Sequence, residues 1–261
     1  MTDEHGTHDA GSAESIGVVV VAAGAGTRLG SPGPKALVEV AGRSLLAHAL
    51  AALAAAGLPA ATVVYQAGHR PAFAAACAQL PVAGFVVGGE SRTASVRAGI
   101  AALPASVRTV VIHDAARPLM PPEVIRTTLE AVLGGGDVVA AAPCLPVSDT
   151  LKRVSGDTVV ATIDRDGLVG VQTPQVFPRW VLQDALATAD EATDDLALVE
   201  AQVAAGRLQG RVAVVLGSAW GRKVTFLSDL ALVEALALAR PPAGGSEGAS
   251  STAGGAHERH E

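Results

Sequence analysis

Early in the chain, three glycines, an arginine and a lysine fall close together in Ala22-Ala23-Gly24-Ala25-Gly26-Thr27-Arg28-Leu29-Gly30, followed by Pro34-Lys35. The aliphatic run Val18–Val21 leads into this segment. Glycines there let backbone N–H groups close on an anion, and Arg28 and Lys35 add two cations to the same loop. The chemistry that suits such a loop is the holding of a polyanion. A dinucleotide-binding turn also needs glycines after its first strand. Its GxGxxG register fails at Leu29, however, and the next strand ends in Tyr65-Gln66 rather than in an acid for a ribose hydroxyl. A Walker-type loop is excluded because GxxxxGK[ST] is absent. A structural turn carrying two surface cations is the plainer alternative.

Two further segments carry candidate chemistry. Gly88-Gly89-Glu90-Ser91-Arg92-Thr93-Ala94-Ser95-Val96 puts two glycines before a helix for which Ser91 is a suitable N-cap. Taken alone, it reads as a capped helix start. It could also read the edge of a pyrimidine through backbone groups and the Ser95 hydroxyl. His113-Asp114-Ala115-Ala116-Arg117-Pro118 follows an apolar strand. Asp114 at the strand tip could hold Mg²⁺ together with phosphate oxygens, or make an Asx-turn before Pro118. His113 reads as structural, since no other His or Cys lies nearby at metal-ligand spacing.

The elements that must position these residues are legible as an alternation. Expected strands are 17–22, 62–66, 84–87, 109–113, 137–142, 169–173 and 212–215. Expected helices are 44–56, 71–79, 91–102, 122–133, 178–189, 194–205 and 228–239. Val runs buried on both faces suit a largely parallel sheet, and the alternation with helices indicates a three-layer α/β fold. Residues 147–164 break the rhythm: Leu151–Val154 and Thr158–Ile163 flank Ser155-Gly156-Asp157 and read as a β-hairpin arm. Ligands of such sheets sit beyond the carboxyl ends of the strands, where the candidate residues fall.

Composition bounds the rest. The 261 residues are 49% hydrophobic and only 3% aromatic, so Ala, Val and Leu must fill the core. Cys77 and Cys144 lack any CxxC spacing, which argues against a zinc cluster or disulfide framework and fits a cytoplasmic setting. No signal peptide or membrane-spanning run is evident; the longest apolar candidate, 45–58, is interrupted by His48. The net charge of −6 sits in the tails: Asp3, Glu4, Asp9 and Glu14 face no base, and Glu247, Glu258 and Glu261 face only Arg259. The body is therefore neutral, which argues against a nucleic-acid partner. Residues 1–15 and the Gly/Ser-rich 241–261 are expected to be disordered, leaving 16–240 as the domain.

Taken together the motifs resemble one family. Ala22–Lys35 looks like the AAGxGxR…PK signature of nucleotidyltransferases that make activated sugars and alcohols. Gly88–Val96, His113–Pro118, Ser148-Asp149-Thr150-Leu151-Lys152, Asp164-Arg165, Gln172-Thr173-Pro174-Gln175, Thr193-Asp194-Asp195 and Lys223-Val224-Thr225 occur in the order of the 2-C-methyl-D-erythritol 4-phosphate cytidylyltransferases. The resemblance covers about residues 16–240. It implies a Rossmann-like nucleotidyltransferase fold with a mostly parallel central sheet and a protruding hairpin arm through which two copies form a homodimer. It also implies that CMP passes from CTP to 2-C-methyl-D-erythritol 4-phosphate, with Mg²⁺ as cofactor. Ala22, Ala23, Gly24, Ala25 and Gly26 would wrap the triphosphate, with Arg28 and Lys35 stabilising its charge. Gly88, Glu90 and Ser95 match the cytosine and ribose side, while Asp114 and Ala115 match nucleotide contacts and Asp114 the metal position. Asp114, Arg117, Thr150, Arg165, Thr173 and Lys223 match the acceptor side, Arg165 and Lys223 as catalytic cations, and arm residues would complete the neighbour's site.

Only three lysines accompany sixteen arginines, and Lys35, Lys152 and Lys223 all lie in matched motifs, where a compact point charge would suit a phosphate. Gly221-Arg222 before Lys223 departs from the family pattern of Asn and an apolar residue. That departure keeps ribitol 5-phosphate open as an alternative acceptor. A molybdopterin or sugar nucleotidyltransferase would share the first loop but not the HDAARP and TPQ segments. A non-catalytic nucleotide sensor would be expected to lack one of the four cations Arg28, Lys35, Arg165 and Lys223, and all are present.

Overall fold

Strand β1 (Ile16–Val21) is buried on both faces, and its side chains alternate between two cores. Val18 and Val20 join one apolar cluster and Val19 another, which is the period of two that a pleated strand imposes. The computed structural model describes residues 15–31, 33–188, 191–192 and 194–239. The segments expected to be disordered lie, apart from Ser15, outside the described residues, as does Thr193.

After β1 come the short pair β2 (Glu39–Val40) and β3 (Arg43–Ser44), then α1 (Leu45–Ala55), β4 (Ala61–Tyr65), α2 (Arg70–Ala76), β5 (Val82–Val87) and α3 (Arg92–Ala101). The middle of the chain forms β6 (Thr109–Asp114), α4 (Pro122–Leu133), β7 (Val138–Pro146), β8 (Leu151–Ser155) and β9 (Thr158–Ile163). The last part forms β10 (Val169–Val171), β11 (Gln175–Pro178), α5 (Arg179–Ala187), α6 (Asp195–Ala204), β12 (Arg211–Leu216) and α7 (Leu227–Ala239).

Strands β5, β4, β1 and β6 run parallel in that order. Antiparallel β11 then joins β6 to β7, which also pairs β10 antiparallel and β12 parallel. The chain leaves β1 toward β4 and later returns on its other side to β6. The crevice beyond the carboxyl ends of β1 and β6 is therefore the topological switch point. One core packs α1, α2 and α4 on the sheet through Leu46, Leu50, Phe73 and Ile125. The opposite core packs α3, α5 and α6 through Val96, Ile100, Leu182 and Val199. A third, small cluster joins Leu29, Val40, Leu45, Leu119, Val224 and Val233, so α7 and the segment before it lie over the first loop.

Helix starts follow their caps. Ser44, Ser91 and Asp194 accept the N–H groups of Ala47, Ala94 and Ala197 and thereby set the first turns of α1, α3 and α6. The expected helix 71–79 stops at Ala76, and the expected strand 169–173 stops at Val171, with the separate β11 beginning at Gln175. The arm is present as expected: β8 and β9 pair with each other and with no strand of the main sheet. Val154, Val159 and Val160 on it are more than half exposed, at 58%, 57% and 55%.

Candidate active site

The loop after β1 is shaped by close approach. Gly26 has φ +70°, and a Cβ there would stand 2.6 Å from the Lys35 Cβ, so the loop wraps directly over Lys35. A Cβ at Gly88, after β5, would meet the Ala23 Cβ at 2.4 Å and Ser95 Oγ at 2.9 Å. The two loops therefore touch through glycine. Ser95 is buried, and its Oγ accepts the Gly89 N–H at 3.2 Å. Between these loops opens a cavity of about 400 Å³. Ala22–Ala25, Arg28, Lys35, Gly89, Glu90, Ser95, Asp114, Ala115 and Lys223 line it. Gly26 and Gly88 shape it without lining it. Arg28 sits exposed on a single 3-10 turn, Thr27–Leu29. Lys35 donates from Nζ to the Val224 carbonyl at 2.9 Å. Burial first, and then the neighbouring Lys223 ammonium, lower the Lys35 pKa below its ordinary value.

Asp114, the last residue of β6, is the anionic centre of this cationic crevice. Its Oδ2 accepts from Lys223 Nζ at 2.6 Å, and its Oδ1 accepts from Arg92 Nε and Nη2 at 3.3 and 3.2 Å. Burial alone would raise its pKa; Arg92 and Lys223 outweigh burial and hold the carboxyl well below the usual carboxylate range. Arg92 also donates to Asp195 Oδ2 at 2.9 Å, a carboxylate that burial pushes up to about 6.

Behind Asp114 lies a fully determined hydrogen-bond chain. His113 is wholly buried, and its Nε2 faces the Arg117 carbonyl at 3.2 Å, which can only accept. Nε2 therefore carries the proton, and Nδ1 accepts from the Thr173 hydroxyl at 3.1 Å. Thr173 Oγ1 in turn accepts the Asp114 backbone N–H at 3.1 Å. The proton of Thr173 is thus committed to His113, so toward an anion this hydroxyl offers no donor. The resemblance places Thr173 among the acceptor contacts; it lines the recess described next, and within the chain it anchors Asp114. His113 is structural, as expected.

A recess of about 160 Å³ adjoins the first cavity and shares Arg92, Asp114 and Lys223 with it. Arg117 and Thr173 line it, but the Arg117 guanidinium donates to the carbonyls of Gly221 and Val171 at 2.9 and 3.1 Å. Two of its nitrogens are thus braces between β10 and the segment before Lys223, and only Nε is left without a partner among the described residues. Thr150 and Arg165 line neither space. Both are exposed on the arm, and Arg165 Nη1 donates to the Ser148 carbonyl at its base. Within one chain the arm pairs only with itself, so it does not bring them to the crevice. Arg222, the departure from the family pattern, points elsewhere. Its Nε pairs with Asp229 at 2.9 Å, and Asp229 also accepts the N–H groups of Thr225 and Phe226 at the start of α7.

Arg92 and Asp195 were missed as site residues. Both stood in quoted motifs, but neither motif shows that the two side chains meet. As for a metal, no three His, Cys, Asp or Glu converge among the described residues. The donor set is Asp114 alone, whose four or so acceptor directions are taken twice by Arg92 and once by Lys223. One remaining direction suits a hard cation held mostly by oxygens of its own ligand.

Converging cations around a held carboxylate at the switch point suit an anionic ligand. The comparisons give the family. A profile of the family described as IspD, 2-C-methyl-D-erythritol 4-phosphate cytidylyltransferase, matches residues 16–238. The bifunctional enzyme IspD/IspF of Clavibacter michiganensis subsp. michiganensis is 46% identical over 240 residues, covering 88% of this chain but 56% of that protein. The 2-C-methyl-D-erythritol 4-phosphate cytidylyltransferase of Deinococcus radiodurans is 46% identical over 86% of this chain and 90% of its own. The crystal structure of the corresponding enzyme from Thermus thermophilus superimposes with a TM-score of 0.71 at 35% identity, covering 86% of this chain and 99% of that one. This chain belongs to the 2-C-methyl-D-erythritol 4-phosphate cytidylyltransferase family and is a nucleotidyltransferase. No described helix is long and apolar enough to cross a membrane.

His113 gives a pH test of the anchor. Burial lowers its pKa from 6.5 to about 4, so the folded state refuses a proton that the unfolded chain accepts. Its contribution to stability is therefore complete above about pH 6.5 and is lost as pH falls toward 4. Ring ¹⁵N NMR at pH 5.5 should show His113 neutral and protonated on Nε2; an imidazolium there would contradict the chain of bonds.

Proposed function

We propose that this chain transfers CMP from CTP to 2-C-methyl-D-erythritol 4-phosphate, forming 4-diphosphocytidyl-2-C-methyl-D-erythritol and pyrophosphate in the non-mevalonate isoprenoid pathway. The observation that carries this reading is the convergence of Arg28, Lys35, Lys223 and Arg92 around Asp114, between the two glycine loops. An acceptor phosphate oxygen attacks the α-phosphorus of CTP. The bond from that phosphorus to the α,β-bridging oxygen breaks, and pyrophosphate leaves with its electron pair. The nucleophile is already an anion, so no general base is required. What the protein must supply is placement of two polyanions in line and offset of their repulsion.

Arg28 and Lys35 are the cations for the triphosphate, and Lys223, bridging the cavity and the recess, faces the acceptor phosphate. Ala22–Gly26 wrap the triphosphate, Gly88, Glu90 and Ser95 take the cytosine and ribose, and Ala115 closes the floor beside Asp114. Mg²⁺ on Asp114 would supply further neutralisation of the triphosphate charge. Thr173 and Arg117 hold the backbone on which Asp114 and Lys223 stand. Arg222 gives no ground for a different acceptor, because Asp229 turns it toward α7. The two cysteines, free and buried, suit the cytoplasm.

Thr150 and Arg165 enter this scheme from the arm of a second copy. A two-stranded ribbon with exposed valines is marginal alone, and docking it on a neighbour would bury Val154, Val159 and Val160 while delivering Arg165 to the neighbour's crevice. The site would then belong to a homodimer.

Pyrophosphate release should be measured with CTP or UTP against 2-C-methyl-D-erythritol 4-phosphate and ribitol 5-phosphate. Turnover with CTP and the methylerythritol phosphate alone is expected, because a site reading the cytosine amino edge leaves polar groups unpaired with uracil. Equal rates with UTP would sink the nucleotide assignment, and preference for ribitol 5-phosphate the acceptor. Sharing of sites between copies has its own test. Lys35→Ala and Arg165→Ala should each be nearly inactive alone, and mixing them under exchange should recover roughly a quarter of wild-type activity, from dimers with one intact site. No recovery despite confirmed mixed dimers would place Arg165 in its own chain's site.

A further inference from the structure

Asp195 opens α6 but does not cap it; Asp194 accepts the Ala197 N–H at 3.0 Å and does that work. The Asp195 side chain is nevertheless 1% exposed. Its Oδ2 accepts from Arg92 Nη1 at 2.9 Å, and its Oδ1 has no partner among the described residues. A buried carboxylate satisfied on one oxygen is a burden on stability, and the helix it begins does not need it. Such a group calls for a role elsewhere.

The role is visible in the geometry of Arg92. A guanidinium facing one carboxylate favours the two-bond fork, one N–H to each oxygen. Arg92 does not do this with Asp114. One of its Nη groups is drawn to Asp195, and the opposite edge, Nε and Nη2, converges on Asp114 Oδ1 alone at 3.3 and 3.2 Å. Asp114 Oδ2 is left to Lys223 at 2.6 Å. Asp195 itself lines neither the cavity nor the recess, whereas Arg92, Asp114 and Lys223 line both. Its hydrogen-bonded link to the crevice is Arg92. Gln175 steadies the arrangement, its Oε1 accepting the Asp195 backbone N–H at 3.1 Å.

We propose that Asp195 and Arg92 are a positioning pair for cytidylyl transfer: Asp195 draws Arg92 away from the fork with Asp114, which keeps Asp114 Oδ2 free to hold Lys223 at the cavity. Without Asp195 the guanidinium closes on both oxygens of Asp114 and crowds the Lys223 ammonium at Oδ2. Asp195 also offsets the charge of Arg92 beside Lys223, so that the ammonium remains the dominant cation at the junction of cavity and recess. The pair rests on the cytidylyl-transfer reading above.

The test is Asp195→Asn, which keeps shape and removes the charge, measured as kcat, CTP affinity by calorimetry, and melting temperature. With wild type active, kcat should fall by about 10- to 100-fold, as for other residues that orient a reacting group's neighbour. CTP affinity should change by less than about threefold, and the melting temperature should equal or exceed that of wild type. A kcat within about threefold of wild type overturns the proposal whatever the melting temperature does. If the variant is instead destabilised, a double-mutant cycle decides. Arg92→Lys removes the fork, and the double variant should be no slower than the slower single one, since both changes break one device. Losses that multiply in the double variant overturn it. A crystal structure of the Asn variant should show Arg92 forked on both Asp114 oxygens; an unmoved Arg92 contradicts the mechanism. Inactivity of the wild-type chain with CTP would instead remove the functional reading itself.

Discussion

The crevice depends on one buried anion. Asp114 stands at the tip of a strand whose six residues are all buried, so bulk water does little to solvate its charge. A carboxylate in that position persists only if cations come to it, and two do, from α3 and from the segment before α7. Removing one partner of such a buried pair typically costs about 3–5 kcal/mol, less on the Lys223 side, where the partner is 41% exposed. The same attraction that lowers the cost of burying Asp114 gathers the positive charge at one end of the sheet. The gathered cations outnumber the carboxylate, which leaves positive charge for an anionic ligand.

The fold supplies the rest of the constraint. The switch point between β1 and β6 puts the first loop beside Asp114, with β1 and β6 in register from Ile16↔Thr109 to Val21↔Asp114. The small third core, Leu29 with Val224 and Val233, presses the last segment onto that loop. Lys35 then reaches the Val224 carbonyl, so a residue from the chain's first loop and one from its last segment are held together across the length of the sequence. Gly26 and Gly88 permit these approaches because any side chain would collide with Lys35 or Ala23. The loops are therefore shaped by packing before any ligand arrives.

Much of this was legible in the sequence, for identifiable reasons. Val18–Val21 suits a strand buried on both faces, and Pro122–Leu133 is a helix over the expected residues because Pro at the first position and Gly134 after the last mark its ends. Asp114 and the cationic loop were found because residue type and place after a strand coincide. Strand β11 was not, since four residues ending in Pro178 carry no periodic signal and their pairing is set by β6 and β7. Arg92 was passed over because its partners are 22 and 103 residues away, and no spacing rule connects them. The neutral orientation of Arg222 was hidden for the same reason: only the folded chain shows that Asp229 takes it. Thr150 and Arg165 are the opposite case, recognisable by motif yet outside the crevice of a single chain.

The most direct measurement of the central claim is the effect of Asp114→Asn on CTP binding and turnover, with the fold monitored by circular dichroism. If Asp114 organises the cations, kcat should fall by roughly 10²- to 10³-fold, the loss expected when preorganised charge stabilisers are misplaced. The fold should persist, and CTP should still bind, because removing a negative charge does not deprive the triphosphate of its cations. Turnover within a few-fold of wild type in the folded variant would contradict the account.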